Sequence, residues 1–199
     1  MSASGDNNRS VRFTKLRIRT AFFELMKAKS IHKIIVAEIV RIADISRATF
    51  YLHYVDIYDL LNKTEEEIIN CVLSEVAKFD ENTYVIGKYP IARRVFEVLN
   101  THSQEITLLL CENGDVTFHQ KFQSALKEYF KSLLVFVATE TDIIEPVLSF
   151  LIGGVLNMFM ENLSQEKKTV DINKLAMISN RYLRVTNKLI GLPEVEPDN

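Results

Sequence analysis

The chain is poor in the residues that interrupt helices or cross-link a fold. Its 199 residues include four prolines, six glycines and two cysteines. So few turn-forming residues disfavour a β-sandwich, which needs many turns. Two cysteines cannot form a disulfide framework, and Cys71 and Cys111 are too far apart to make a Cys-x-x-Cys metal pair. We interpret both as buried thiols that pack like small hydrophobic groups, with a redox-sensing thiol as the alternative.

Motifs of the common enzyme classes and long uncharged runs are also missing. The sequence has no glycine-rich dinucleotide fingerprint, P-loop, zinc-protease motif or nucleophile elbow, so we expect no catalysis, metal or other cofactor. The longest uncharged run, Pro146–Met160, has 15 residues, fewer than the roughly 20 needed to cross a bilayer. The first thirty residues are polar and basic. We therefore expect no secretory signal, no membrane partner and a cytoplasmic location.

Hydrophobic residues recur at helical spacing along nearly the whole chain. With 47% hydrophobic and 25% charged residues, the composition is that of a globular protein, and the spacing predicts an all-α fold. The first helix is expected to place one stripe of residues at three- and four-residue steps: Phe13, Leu16, Thr20, Phe23 and Met26. The predicted helices cover about 10–29, 36–43, 47–54, 57–79, 90–102, 104–110, 115–138, 142–163 and 171–190.

Charge is distributed unevenly between the two ends. Residues 1–62 contain ten Lys and Arg and six Asp and Glu, a net charge of +4, whereas the other 137 residues have a net charge of −6. A basic end on an acidic body suggests that the basic end binds a polyanion. A solvated basic face is the alternative.

Residues 36–54 have the pattern helix, tight turn, helix. The second helix of such a pair can enter the major groove of DNA. It carries a guanidinium, a hydroxyl, a phenol and an imidazole, which can hydrogen-bond base edges or phosphates, and an alanine that permits close approach. Phe50 and Tyr54 lie four residues apart and are expected to pack against the first two helices. The predicted DNA contacts are Arg47, Ala48, Thr49, Tyr51 and His53, with Lys15 and Arg19 on the first helix.

Residues 39–61 resemble the DNA-binding signature of the tetracycline-repressor (TetR) family of transcriptional regulators. The matching positions are Ile39, Ala43, Ser46, Thr49, Phe50, Tyr51, His53, Tyr54, Asp56, Leu60 and Leu61. The resemblance implies a homodimeric, ligand-responsive repressor that binds double-stranded operator DNA and a small-molecule effector. It further implies dimerisation through the last two long helices. The corresponding domains are a flexible basic tail at 1–9, a helix-turn-helix DNA-binding domain at 10–56, a helical effector-binding and dimerisation domain at 57–191 and a tail at 192–199.

The expected effector domain contains an unusual helix and several aromatic residues. The helix at 142–163 is apolar on nearly all faces, so either its own chain or a second subunit must cover it. Gly153 and Gly154 within it favour the close approach of another backbone. Six residues are candidates for an effector pocket, with an ordinary core as the alternative for each: Phe96, His102, Phe118, Phe122, Phe150 and Met158.

Five positions depart from the family pattern. Asp44 replaces the usual turn glycine, Ile35 the usual threonine cap, and Val40 a small residue at the helix contact. Leu52 and Ile57 stand where a polar or basic residue is frequent, which removes an expected phosphate contact. The alternative function is therefore a TetR-like protein-interaction module with weak DNA binding of its own.

Overall fold

The computed structural model describes residues 3–78, 89–110, 114–115, 117–134, 142–164 and 171–191, and all regular structure in these ranges is helical. The predicted all-α fold is confirmed. The helices are α1 (Ala3–Met26), α2 (Val36–Ala43), α3 (Arg47–Tyr51), α4 (Ile57–Ala77), α5 (Tyr89–Thr101), α6 (Ser103–Leu110), α7 (Phe118–Leu134), α8 (Ile144–Ser164) and α9 (Ile172–Leu189), with a short 3₁₀ turn at Ile31–Lys33.

Within the described residues the predicted boundaries are correct to within three residues, except the start of the first helix, and the predicted helix end at 138 lies outside those residues. Helix α1 begins at Ala3, so residues 3–9, predicted to be a flexible tail, are helical. Helix α3 ends at Tyr51 rather than Tyr54, because the chain turns at Leu52 and His53. Cys111 and the tail predicted at 192–199 lie outside the described residues.

The chain divides into two compact units, of which the first comprises Met1–Ile68 and Leu108–Phe118. This unit continues past the boundary predicted at residue 56, because α4 contributes Leu60, Leu61 and Ile68 to its buried residues. The prediction for α1 is wrong in part. Phe13, Leu16 and Thr20 are exposed, whereas Phe23 and Met26 of the predicted stripe are buried together with Ile18 and Phe22, which the stripe did not include.

The turn between α2 and α3 is fixed by its backbone and by hydrogen bonds. Asp44 has φ 48° and ψ 58°, the left-handed conformation in which glycine is usual. Its backbone oxygen and its carboxylate accept from Arg17 Nη2 at 2.9 and 3.0 Å. Ser46 begins α3 as an N-cap, since its Oγ accepts from the Thr49 N–H at 3.0 Å. At the start of α2 Ile35 offers no side-chain acceptor, and Glu38 Oε2 instead accepts from the Ile35 N–H at 3.3 Å.

The second unit comprises Ile69–Thr107 and His119–Asn199, and in it α9 packs against α5 and α8. Asp171 caps the start of α9, where its side chain accepts from the Asn173 N–H. Gly191 follows the end of α9 with φ 70°, the left-handed conformation that glycine commonly adopts after a helix C-terminus.

Helix α8 is incompletely covered within its unit. Residues Ile144–Asn162 are long and apolar enough to cross a membrane by length and composition, with a mean hydropathy of 1.4. The uncharged run at 146–160 is shorter than this stretch because Glu145 and Glu161 flank it. A helix that is covered by protein passes the same test, so this is weak evidence for a membrane span. Only 28% of the tested stretch is buried within the chain, and one large side chain on it, Phe150, is 64% exposed.

Candidate nucleic-acid interface and apolar cavity

Helix α3 has one buried side and one exposed side. Phe50 is fully buried and Tyr54, just beyond the helix, is 3% exposed, with their ring centroids 5.6 Å apart. Arg47, Ala48 and Tyr51 lie on the exposed side. The structure therefore separates the two sets of residues as the helical spacing predicts: the aromatic pair packs inward, and the guanidinium and the phenol face solvent.

Thr49 and His53 are less exposed than Arg47, Ala48 and Tyr51. Both are half-buried, and Thr49 Oγ1 is 2.8 Å from Ser46 Oγ. Burial is the main reason that the pKa of His53 is lowered, and the positive charges of Lys15 and Lys63 lower it further. The His53 imidazole is therefore neutral at neutral pH, so it can donate or accept one hydrogen bond but adds no charge for a phosphate.

The two predicted phosphate contacts on α1 have different surroundings. Arg19 is half-buried and its Nη1 lies 3.2 Å from Glu67 Oε2, so an ion pair already occupies it. Lys15 is half-buried and Arg47 is exposed. Neither has an ion pair within the described residues. Among the predicted DNA contacts, these two cations can therefore bind an external anion without first breaking a salt bridge of the described residues.

Lys63, which the sequence analysis did not single out, ties the end of α3 to the start of α4. Its Nζ donates to the His53 carbonyl at 3.1 Å and to Asp59 Oδ2 at 2.8 Å, and it lies 5.4 Å from the centroid of the Tyr54 ring. Asp59 also accepts from the Val55 N–H at 2.9 Å. The hydrogen bond from Lys63 is the main reason that the pKa of Asp59 is lowered. This network holds the exposed side of α3 in one orientation.

The sequence analysis also did not predict a hydrogen bond between two aromatic side chains of the first unit. His32 Nδ1 is 3.1 Å from the hydroxyl of Tyr58, and both side chains are exposed. Tyr58 falls inside the motif at 39–61, but its partner lies in the 3₁₀ turn. Their sequence separation of 26 residues gives no local pattern by which the contact could be found.

The second unit contains a cavity of about 320 Å³ between α5, α7, α8 and α9. Phe96, Phe150 and Met158, three of the six candidates, line it. His102 does not, because it faces Cys71 across 3.5 Å from Nε2 to Sγ. The remaining candidates, Phe118 and Phe122, are fully buried residues outside the lining, and Phe118 belongs to the first unit. Mainly apolar residues of these four helices form the wall.

Known structures match the fold of this chain, whereas the sequence comparisons give no match. No protein-family model matches the chain, and no curated protein matches it. A TetR transcriptional regulator of known structure from Streptococcus agalactiae is 23% identical, with a TM-score of 0.64 over 90% of this chain and 98% of that one. A candidate TetR-family regulator from Syntrophomonas wolfei is 16% identical, with a TM-score of 0.62 over 92% of this chain and 98% of that one. The chain therefore has the fold of the TetR-family transcriptional regulators, a helix-turn-helix followed by a helical C-terminal domain.

Proposed function

We propose that this protein is a sequence-specific DNA-binding transcriptional regulator that acts in the cytoplasm as a homodimer, and that a small molecule relieves its repression. The observation that carries the proposal is the exposed side of α3, with Arg47, Ala48 and Tyr51 held outward on a TetR-like fold. Repression rather than activation follows the habit of the family that residues 39–61 resemble.

DNA contact is assigned to groups that are free to make it. Arg47 can bind a guanine edge or a phosphate with two hydrogen bonds, Ala48 allows close approach, and the Tyr51 hydroxyl can donate to a phosphate. Lys15 adds a charge for the backbone. Thr49 and His53 contribute after small side-chain rotations, and Arg19 contributes least because Glu67 competes for it.

Dimerisation is assigned to α8 and α9. Phe150, Tyr182 and Val185 are exposed there, and the Phe150 and Tyr182 rings are 6.5 Å apart. A Cβ added to Gly154 would meet no atom of the described residues within 4 Å, so no backbone among them uses the space that this glycine leaves. A second copy packed on this face would supply the missing cover. Two α3 helices about 34–36 Å apart then match successive major grooves.

The effector is assigned to the cavity of the second unit. A ligand that fits the cavity better in a dimer with a different spacing of the two α3 helices shifts the population away from DNA. The shift is limited by the ratio of the ligand's affinities for the two spacings, so a tight ligand with no preference has no effect.

Selection of DNA from a random pool, followed by gel shift on the selected site, tests the proposal. We expect a two-fold symmetric consensus and a loss of affinity of at least about tenfold in Arg47→Ala with Tyr51→Ala, since one bidentate base contact contributes about 1–3 kcal/mol. Lys78→Ala is the matched control, because it removes an exposed cation of the second unit that is paired with Glu75. Equal affinities of wild type and the double variant for the selected site would refute the assignment.

A protein-interaction module is the second candidate, and two side chains favour it. Leu52 is 81% exposed and Val55 is 77% exposed, next to the proposed DNA-reading face. Apolar groups there suit a protein partner better than a phosphate backbone. The salt dependence separates the two functions: phosphate contacts give a steep fall of affinity with salt concentration, whereas apolar contact with a protein gives a nearly flat dependence.

A further inference from the structure

The cavity of the second unit has a wall without charge. Among the described residues its lining consists of aliphatic and aromatic side chains together with Gly154, Met158 and Ser179, and no Lys, Arg, His, Asp or Glu belongs to it. Transfer of an ion into such surroundings without a paired charge is strongly unfavourable. The wall therefore selects against acids and amines that are ionised at neutral pH.

The size of the cavity limits the ligand. A cavity of about 150 Å³ lined by aliphatic and aromatic groups accommodates benzene, and this one has about 320 Å³. Scaled by volume, the occupant has about a dozen non-hydrogen atoms. It is a small lipophilic molecule rather than a peptide or a nucleotide.

One polar side chain in the wall has no partner among the described residues. Ser179 is 3% exposed and lines the cavity, and its Oγ, which is itself buried in this rotamer, makes no hydrogen bond there. A buried hydroxyl without a partner is unfavourable, and serine can change between staggered rotamers to direct Oγ at a group that offers one. Ser179 is thus suited to recognise a single polar group on an otherwise apolar ligand.

We propose that the cavity binds an uncharged, predominantly apolar molecule of about a dozen non-hydrogen atoms that carries one hydrogen-bonding group, and that Ser179 recognises that group. This assignment rests on the proposed regulatory function only in calling the molecule an effector. The wall includes Phe150, Gly154 and Tyr182, which also belong to the face assigned to dimerisation, so the oligomeric state is measured together with binding.

Three probes of nearly equal shape test the assignment. Phenylbutanol, pentylbenzene and phenylbutylammonium carry a hydroxyl, a methyl and an ammonium at the same end of the same chain, and titration calorimetry measures their binding to the purified full-length protein. We expect the alcohol and the hydrocarbon to bind and the ammonium ion to bind at least about a hundredfold more weakly. Binding of the ammonium ion as tightly as the alcohol, or binding of none of the three, would overturn the proposal.

Ser179→Ala tests the role of the hydroxyl. We expect the affinity for the alcohol relative to the hydrocarbon to fall by about 2- to 10-fold in this variant, as for one lost hydrogen bond. The ratio should be unchanged in Ser124→Ala, which removes an exposed hydroxyl from α7 outside the lining. Equal weakening of both probes by Ser179→Ala would contradict recognition by the hydroxyl and indicate a packing defect.

Two controls separate this proposal from the others. DNA binding of each variant without probe is measured in parallel, so a protein that binds DNA but no probe refutes the ligand assignment alone, and the reverse refutes the regulatory function alone. Size-exclusion chromatography with light scattering is run at saturating phenylbutanol. Conversion of a dimer to monomers would show that side chains of a second copy fill the cavity, which would also overturn the proposal.

Discussion

Substitution of Asp44 tests whether its left-handed backbone limits the stability of the first unit. Asp44→Ala keeps a Cβ at φ 48° and removes the Asp side chain, which tolerates this conformation better than most. It also removes the 3.0 Å ion pair with Arg17, which contributes about 0–1 kcal/mol because the Asp44 carboxylate is exposed. We expect a loss of about 1–2 kcal/mol in the free energy of unfolding.

Asp44→Gly should behave differently. Glycine relieves the backbone strain, by about 1 kcal/mol, but it loses the ion pair and gives the unfolded chain more freedom, at about 0.4–1 kcal/mol. These contributions nearly cancel, so we expect stability within about 0.5 kcal/mol of the wild type. The informative quantity is the difference between the glycine and alanine variants, about 1 kcal/mol or more.

Urea denaturation followed by circular dichroism at fixed protein concentration measures both variants, with m-values compared to verify that the same transition is observed. Arg17→Met is the control, since it removes the ion pair and leaves the backbone of Asp44 unchanged. Equal stability of Asp44→Ala and Asp44→Gly would refute the reasoning. It would mean that the conformation of residue 44 has no energetic consequence.

Three other predictions concern a helix cap and two titrations. Ser46→Ala should lower the free energy of unfolding by about 1 kcal/mol, measured by urea denaturation, because an N-cap acceptor is lost. Burial is the main reason that the pKa of Tyr54 is raised from its ordinary 10.0 to about 12. The free energy of unfolding should therefore fall as the pH rises from 10.0 to about 12, which denaturation and phenolate absorbance measure. Hydrogen bonds from Lys127 and Lys131 lower the pKa of Glu145 to about 2, so the stability they give is present above its ordinary 4.5 and is lost as pH falls toward 2. In Lys127→Met this pKa should rise toward 4.5 in an NMR titration, and an unchanged value would contradict the assignment.

The sequence was sufficient for the parts of the fold that depend on neighbouring residues. Ser46 as a cap, Asp44 in a left-handed turn and Gly191 at a helix end follow from chemistry within four residues of each site. The face of α1 was misjudged because Phe13 and Leu16 fit a helical stripe as well as Ile18 does. Only the position of the other helices decides which stripe is buried.

The surroundings of a site residue could not be predicted where its partner is distant in sequence. Arg19 looks like a free cation in the sequence, but Glu67, 48 residues later, occupies it. Lys63 looks like one charge among many, yet it joins α3 to α4 through a carbonyl, a carboxylate and a ring. Aromatic residues that line a cavity and aromatic residues that fill a core have the same helical spacing in the sequence. The sequence therefore could not show that Phe96 lines the cavity and Phe122 does not.

The uncovered side of α8 affects how this protein should be handled. In the proposed dimer a second copy covers that side, so dissociation on dilution would expose its aromatic and aliphatic groups and favour adhesion to vessel walls, chaperones or unrelated chains. Preparations at micromolar and at nanomolar concentration would then contain different species under one label. Affinities measured at one of these concentrations should not be carried over to the other.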